Sequence, residues 1–148
     1  MKYYEDHVID ERKTFPRQHE LTEEEIIRFA KQWDPQPFHV DKESAEKSYF
    51  GGIVACTAHL FGITSKLPFP DANDWAVVSS LASNNLKNRA PARPGDLLSL
   101  TATCIGKRKS ESKSGLGILE YYVELINQKD EVVFSYLNAS LHELRPGS

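Results

Sequence analysis

Cysteine is scarce in this chain. Cys56 and Cys104 are the only two, and they stand far apart with no metal-like spacing. Two free thiols in a reducing compartment account for them better than a disulfide framework does. The five histidines, His7, His19, His39, His59 and His142, form no HExxH or paired Cys/His pattern, so no metal is expected. An excess of one charge is also missing: 18 basic and 21 acidic residues are interleaved, for a formal net charge of −3. That excludes the extended basic footprint a nucleic-acid duplex requires. No apolar run approaches the roughly 20 residues needed to cross a bilayer, and the opening MKYYEDHVIDERK lacks the apolar core of a secretory signal. The expectation is a cytoplasmic protein with neither nucleic acid nor membrane as partner. Its 148 residues, 40% of them hydrophobic, suit one domain over 1–148.

The two halves of the chain differ in character. In LTEEEIIRFAKQW, Thr22 and Glu25 form a capping-box pattern, and Ile26, Phe29, Ala30 and Trp33 follow at helical spacing, which predicts a helix over 23–33. Pro35 and Pro37 push Asp34 and Gln36 out of the helical region, so DPQPFH (34–39) is expected to be a stiff, extended link. Asp41 can cap a short helix over 42–48, and Gly51-Gly52 breaks the chain again. The run 53–66, IVACTAHLFGITSK, is apolar on nearly every face and too long for an ordinary strand, which predicts a helix wrapped on all sides by other structure. Gly62 within it is read as permitting close packing or space for an acyl chain, with packing preferred.

After Pro68 and Pro70, strand signals take over. LLSLTATCIGKRK, GILEYYVELINQ and EVVFSYLNASLHEL are three long runs of β-branched and aromatic residues. In the middle run Leu119, Tyr121, Val123 and Leu125 share one face and Glu120 and Glu124 the other. KSESKSG (109–115) and Asn127-Gln128-Lys129-Asp130 have hairpin-loop composition, APARPGD (90–96) reads as a turn, and WAVVSSL (75–81) as a weaker strand. The pattern is α+β, a curved antiparallel sheet around one long helix.

FAKQWDPQPFHVDKESAEKSYFGGIVA resembles the signature of the MaoC-like acyl dehydratases, which include the (R)-specific 2-enoyl-CoA hydratases. RPGDLLSLTATCIGKRKSES and GILEYYVELINQKDEVVFSY are similar to the strand region of that family. The resemblance implies a hot-dog fold, a homodimer or dimer of dimers, and an acyl-CoA or acyl-carrier thioester as substrate. Coenzyme A enters only as part of that substrate, with no separate cofactor. Carried over by position, Asp34 and His39 are the catalytic pair, the main-chain N–H of Thr57 is the oxyanion donor, and Ser65 matches a hydroxyl that supports the site. Two positions depart from the pattern: Thr57 stands where relatives often have glycine, and Gln36 where they have asparagine.

The chemistry suits these groups. Hydrating an enoyl thioester needs a water deprotonated beside C3 and a proton delivered at C2, and an imidazole paired with a carboxylate can do both. The developing enolate oxygen needs a fixed donor, which a helix-start amide supplies. The function expected is therefore reversible hydration of a 2-enoyl thioester to an (R)-3-hydroxyacyl thioester. The alternatives are a hot-dog protein that binds acyl-CoA without turnover, suggested by Thr57 and the strand-poor Ser83-Asn84-Asn85, and a hot-dog thioesterase. Two further features have a plainer reading. Cys56 with His59 lacks a visible third group to orient the imidazole, so a small buried thiol is preferred over a nucleophile. Lys87, Arg89 and Arg93 could meet coenzyme A phosphates, though a solvated rim is the commoner fate of such residues.

Overall fold

The structure, a computed structural model, describes residues 1–147. Among these residues two short strands, four α-helices and four long strands follow one another: β1 (Arg12–Thr14), β2 (His19–Glu20), α1 (Glu23–Trp33), α2 (Pro37–Val40), α3 (Lys42–Glu46), α4 (Thr57–Lys66), β3 (Val77–Asn88), β4 (Leu97–Lys109), β5 (Leu116–Ile126) and β6 (Val132–Glu143). The strands make one antiparallel sheet in the order β1-β4-β5-β6-β3, with β2 also beside β4. This is the α+β hot-dog arrangement that the resemblance implies. Among the described residues no helix is long and apolar enough to cross a membrane.

The three long β runs fall where their composition puts them. β4 and β5 pair from Ser99↔Ile126 to Lys109↔Gly117, closing the 109–115 loop, and Asn127 closes the second hairpin by accepting the N–H groups of Lys129 and Glu131 on its Oδ1. Leu119, Tyr121, Val123 and Leu125 point inward and are buried. They meet Leu60 and Ile63 of α4, and Leu67 just after it, in a common core with Leu100 and Phe134. Gly117 is needed there: a Cβ would run into the Tyr4 ring that packs on it.

Six expectations are corrected. Helix α4 begins at Thr57 rather than at 53, because residues 53–56 run irregularly with Ala55 N–H bonded to the Ala92 carbonyl. Nor is α4 wrapped all round: the sheet covers one side, and Ala58, Gly62 and Ser65 are exposed on the other. Nothing lies within 4 Å of a Cβ built on Gly62, so close packing is not its role. The fourth correction concerns β3, which extends to Asn88 through the Ser83-Asn84-Asn85 stretch; a bulge between Asn84 and Lys87, with Asn85 at φ 56°, absorbs those residues. Fifth, α3 stops at Glu46, two residues short of the expected end, although Asp41 caps it as foreseen by accepting the Ser44 N–H at 2.9 Å. Finally, Trp33 does not join the buried stripe of α1 and is 65% exposed.

Candidate active site

The chain entering the site is built by its prolines, but not as a straight link. Asp34 ends α1, its N–H on the Ala30 carbonyl, and Gln36 is extended at φ −60° and ψ 138°. Pro37 then opens a new helical turn. With its φ already set and no N–H to satisfy, proline suits the first helical position, and this places His39 on α2 rather than on an extended segment.

That turn fixes the imidazole. His39 Nδ1 lies 2.6 Å from the Val54 carbonyl oxygen, an acceptor only, so Nδ1 carries the proton and the neutral ring presents its lone pair at Nε2. Nε2 faces Asp34 Oδ2 across 3.8 Å. The separation is too long for a direct hydrogen bond and suits one water held between the two groups. Phe38 packs against the His39 ring at 4.5 Å between centroids. The imidazole is buried, while the Asp34 side chain is 38% exposed.

His39 and Thr57 both line a cavity of about 520 Å³, together with Val54, Asn88 and Arg89. Asp34 is not part of its wall. Thr57 is the first residue of α4, so its N–H is among the amides a helix leaves without an internal partner. Its hydroxyl accepts from Asn88 Nδ2 at 2.8 Å. Asn88, at the end of an exposed edge strand, has no sequence signal that would single it out. The structure therefore gathers Asp34, His39 and Thr57 at one end of α4. Ser65 lies elsewhere, about 12 Å along the axis at the helical rise per residue. It lines a second cavity of about 590 Å³, and its Oγ donates to the Phe61 carbonyl at 3.2 Å.

Arg89 and Arg93 each donate to a protein acceptor, Arg93 half-buried and Arg89 still exposed to solvent. Arg89 Nε donates to Ser135 Oγ at 2.9 Å and Arg93 to the Phe50 carbonyl at 2.7 Å. Lys87 stays exposed on β3.

Beside the site, α1 and α4 are joined by a cluster hidden in the capping-box pattern. Thr22 does accept the Glu25 N–H at 3.2 Å. The Glu25 carboxylate, however, turns away from the helix start and takes His19 Nε2 at 2.6 Å and His59 Nε2 at 2.7 Å on the same oxygen. Lys66 Nζ reaches His19 Nδ1 at 2.6 Å. The donor atoms of His19, Glu25 and His59 lie within 4.8 Å of one another, close enough to suggest a metal site. Their second contacts argue for hydrogen bonding instead. A metal-bound imidazole keeps a proton on its other nitrogen and donates it, whereas an ammonium faces His19 Nδ1 and nothing among the described residues accepts from His59 Nδ1.

Glu25 thus supplies the orienting group for His59 that the sequence did not reveal, yet no nucleophile results. The imidazole is aimed at Glu25 and stacked on Phe29, with centroids 4.5 Å apart. Burial lowers the His59 pKa, with Glu25 opposing, and burial raises that of the Cys56 thiol.

The comparisons agree with this picture. The sequence model of the MaoC like domain matches residues 6–124, and the chain belongs to the MaoC-like dehydratase family. It is 31% identical to the uncharacterized protein YdeM of Bacillus subtilis (strain 168) over 117 residues, 77% of this chain and 80% of YdeM. The crystal structure of the MaoC-like dehydratase from Rhodospirillum rubrum superposes with a TM-score of 0.89 at 30% identity, covering 97% of this chain and 98% of that one. The (R)-hydratase PhaJ1 of Pseudomonas aeruginosa shares the fold, with a TM-score of 0.69 at 17% identity over 97% of this chain and 87% of its own.

Proposed function

We propose that this protein is a hydro-lyase that reversibly hydrates a 2-enoyl thioester, carried on coenzyme A or an acyl carrier, to the (R)-3-hydroxyacyl thioester. The observation that carries this reading is the His39 lone pair. Nε2 is bare because Nδ1–H is held by Val54, and it faces a carboxylate across a one-water gap.

In the forward direction Asp34 orients the water, and Nε2 takes one of its protons as the oxygen bonds to C3. The π electrons move onto the thioester oxygen, where the Thr57 N–H stabilises them. As the enolate collapses, the His39 Nε2–H returns that proton to C2, so the water is divided as OH on C3 and H on C2. Each positioned proton-transfer group contributes roughly a hundred- to ten-thousand-fold in rate.

A second reading, acyl-thioester binding without turnover, is favoured by one feature: the Thr57 side chain and its Asn88 partner occupy the cavity beside the oxyanion amide. Following loss of the enoyl thioester absorbance with crotonyl-CoA and longer homologues separates the two. Hydration that disappears in Asp34→Asn and His39→Gln supports the enzyme. Saturable binding with no hydration at any length supports the binder, and release of free thiol would indicate a thioesterase.

The same proposal includes a homodimer, acting in the cytoplasm. Strand β3 is an open sheet edge 12 residues long, with Val77, Val78, Leu81 and Leu86 exposed on it, a surface that a second copy of the chain would cover.

A further inference from the structure

The inward face of β6 changes chemistry halfway along. Its inward residues are Phe134, Tyr136, Asn138, Ser140 and His142, placed opposite Leu125, Val123, Tyr121, Leu119 and Gly117 of β5. The first two continue the apolar core. The last three are polar on a face that a two-layer fold fills with hydrocarbon, and such local violations concentrate at functional positions. On the other side Ser83 stands opposite Asn138 and Ser80 opposite Ser140. Tyr121, Ser80, Ser83, Asn138, Ser140 and His142 thus form one polar patch, and all six line the 590 Å³ cavity at the Ser65 end of α4. Most of the remaining wall, including Phe15, Phe61, Leu100 and Val123, is apolar, with Thr64, Ser65 and Asn73 as further polar residues.

The patch retains unused hydrogen-bonding capacity. Ser140 Oγ and His142 Nε2 are 2.9 Å apart, while His142 Nδ1 has no partner although the residue is 1% exposed. Whichever way that bond runs, a polar hydrogen or a lone pair of the pair is left over. Asn138 Oδ1 takes only a long contact from Ser80 at 3.4 Å, and no partner for its amide hydrogens is found among the described residues. No Asp, Glu, Lys or Arg lines the cavity, and burial lowers the His142 pKa to about 4, so the patch is neutral at pH 7.

The two cavities border successive stretches of α4, Thr57 and Leu60 lining the first and Phe61, Thr64 and Ser65 the second. An acyl chain whose carbonyl meets the Thr57 amide and that extends along this helix would bring its far end to the polar patch. A plain alkyl end arriving there would displace water and leave Asn138 and Ser140 unpaired. A carboxylate would find no countercharge.

We propose that this second cavity receives the distal end of the acyl group and selects chains bearing a neutral hydrogen-bonding substituent, a hydroxyl or carbonyl, over plain alkyl and over carboxylate-ended chains. The inference rests on the thioester reading above and names its substrate class. The test is calorimetric binding of saturated acyl-CoA ligands from six to ten carbons in three forms: unsubstituted, ω-hydroxy and ω-carboxy. At the best-fitting length the hydroxy form binds tightest, on the order of tenfold over the alkyl form. Asn138→Leu removes or reverses that preference, and Ser140→Ala reduces it. Equal or tighter alkyl binding at every length overturns the proposal, as does tightest binding of the carboxylate or a preference that survives both variants. Hydration of the matching 2-enoyl thioesters is measured separately. If it is absent while the binding order holds, the hydratase reading falls and the selectivity stands; if no acyl-CoA binds, both fall.

Discussion

His39 donates its Nδ1–H to the Val54 carbonyl at 2.6 Å, so a main-chain atom 15 residues away sets the tautomer of the candidate base. The carbonyl cannot itself donate, so in the neutral imidazole the lone pair lies on the opposite nitrogen, which this bond directs toward Asp34. His39→Gln should therefore lower kcat by roughly a hundred- to ten-thousand-fold with the far-ultraviolet circular dichroism unchanged. Asp34→Asn, which can still hydrogen-bond a water but carries no charge, should lose rate with a smaller change in KM. Steady-state kinetics on the enoyl thioester check both; wild-type rates in the two variants would remove Asp34 and His39 from the chemistry.

Asn88 holds the Thr57 hydroxyl at 2.8 Å and so steadies the first residue of α4. In Asn88→Ala the Thr57 amide, the proposed oxyanion donor, keeps its place in the helix but loses that anchor. The expected outcome is a fall in kcat/KM of about three- to tenfold, the size of one net hydrogen bond, with a small change in Tm because Asn88 is exposed. A drop as large as that of His39→Gln would assign Asn88 a direct part in the reaction.

Glu25 ties α1 to α4 through two imidazoles, whereas Thr22 only caps α1. Their variants should differ accordingly. Thr22→Ala should cost about 1 kcal/mol, and Glu25→Ala more, on the order of 1.5–3 kcal/mol, because hydrogen bonds to a charged group are lost. Urea unfolding of the two proteins measures the difference. Equal losses would return Glu25 to a capping role.

The same pair marks where sequence reasoning stops. The spacing of Thr22, Glu25 and the apolar residues after them locates α1 to the residue, because helix entry is decided by local hydrogen bonds and periodicity. The pattern cannot say that Glu25 has better partners across a helix interface, since His19 and His59 reach it only through the fold. Likewise the prolines of DPQPFH announce a break, but Pro37 is equally suited to start a helix, and the outcome depends on where Val54 holds the imidazole. The alternation in β5 made its buried face legible. That in β6 did not disclose a cavity, because a polar residue on an inward face looks the same in sequence as one facing water. Asp34, His39 and Thr57 were legible as candidates only through the family resemblance, and Asn88 through nothing at all.

Gly117 and Tyr4 supply a packing test away from the site. A methyl group at position 117 would collide with the Tyr4 ring, which is held from the other side by the Lys107 ammonium 4.7 Å from its centroid. Gly117→Ala should destabilise by about 1–3 kcal/mol, as overpacking does. The companion Tyr4→Ala removes the obstacle but opens a void, so the double variant should be more stable than the sum of the single losses predicts. Chemical denaturation of the four proteins forms a double-mutant cycle, and strict additivity would show that the two residues do not meet.

His7 and His142 set the response to acid. Their rings pack with centroids 5.1 Å apart, and His7 Nδ1 bonds the Tyr121 hydroxyl. Burial is the main cause that lowers both, His7 from 6.5 to about 3 and His142 from 6.5 to about 4, and nearby Lys2 adds to the effect on His7. In each case the folded protein prefers the neutral ring, so the unfolded chain binds more protons once the pH falls below 6.5. Stability should be full above that value and decline between pH 6.5 and 4, by at most about 1.4 kcal/mol per pH unit for each histidine. His142→Gln removes one of the two groups and should flatten the decline over this window, whatever it costs in stability at pH 7. Thermal melts of both proteins across the range decide the matter: parallel curves would mean that His142 takes up its proton as readily in the folded state as in the unfolded one.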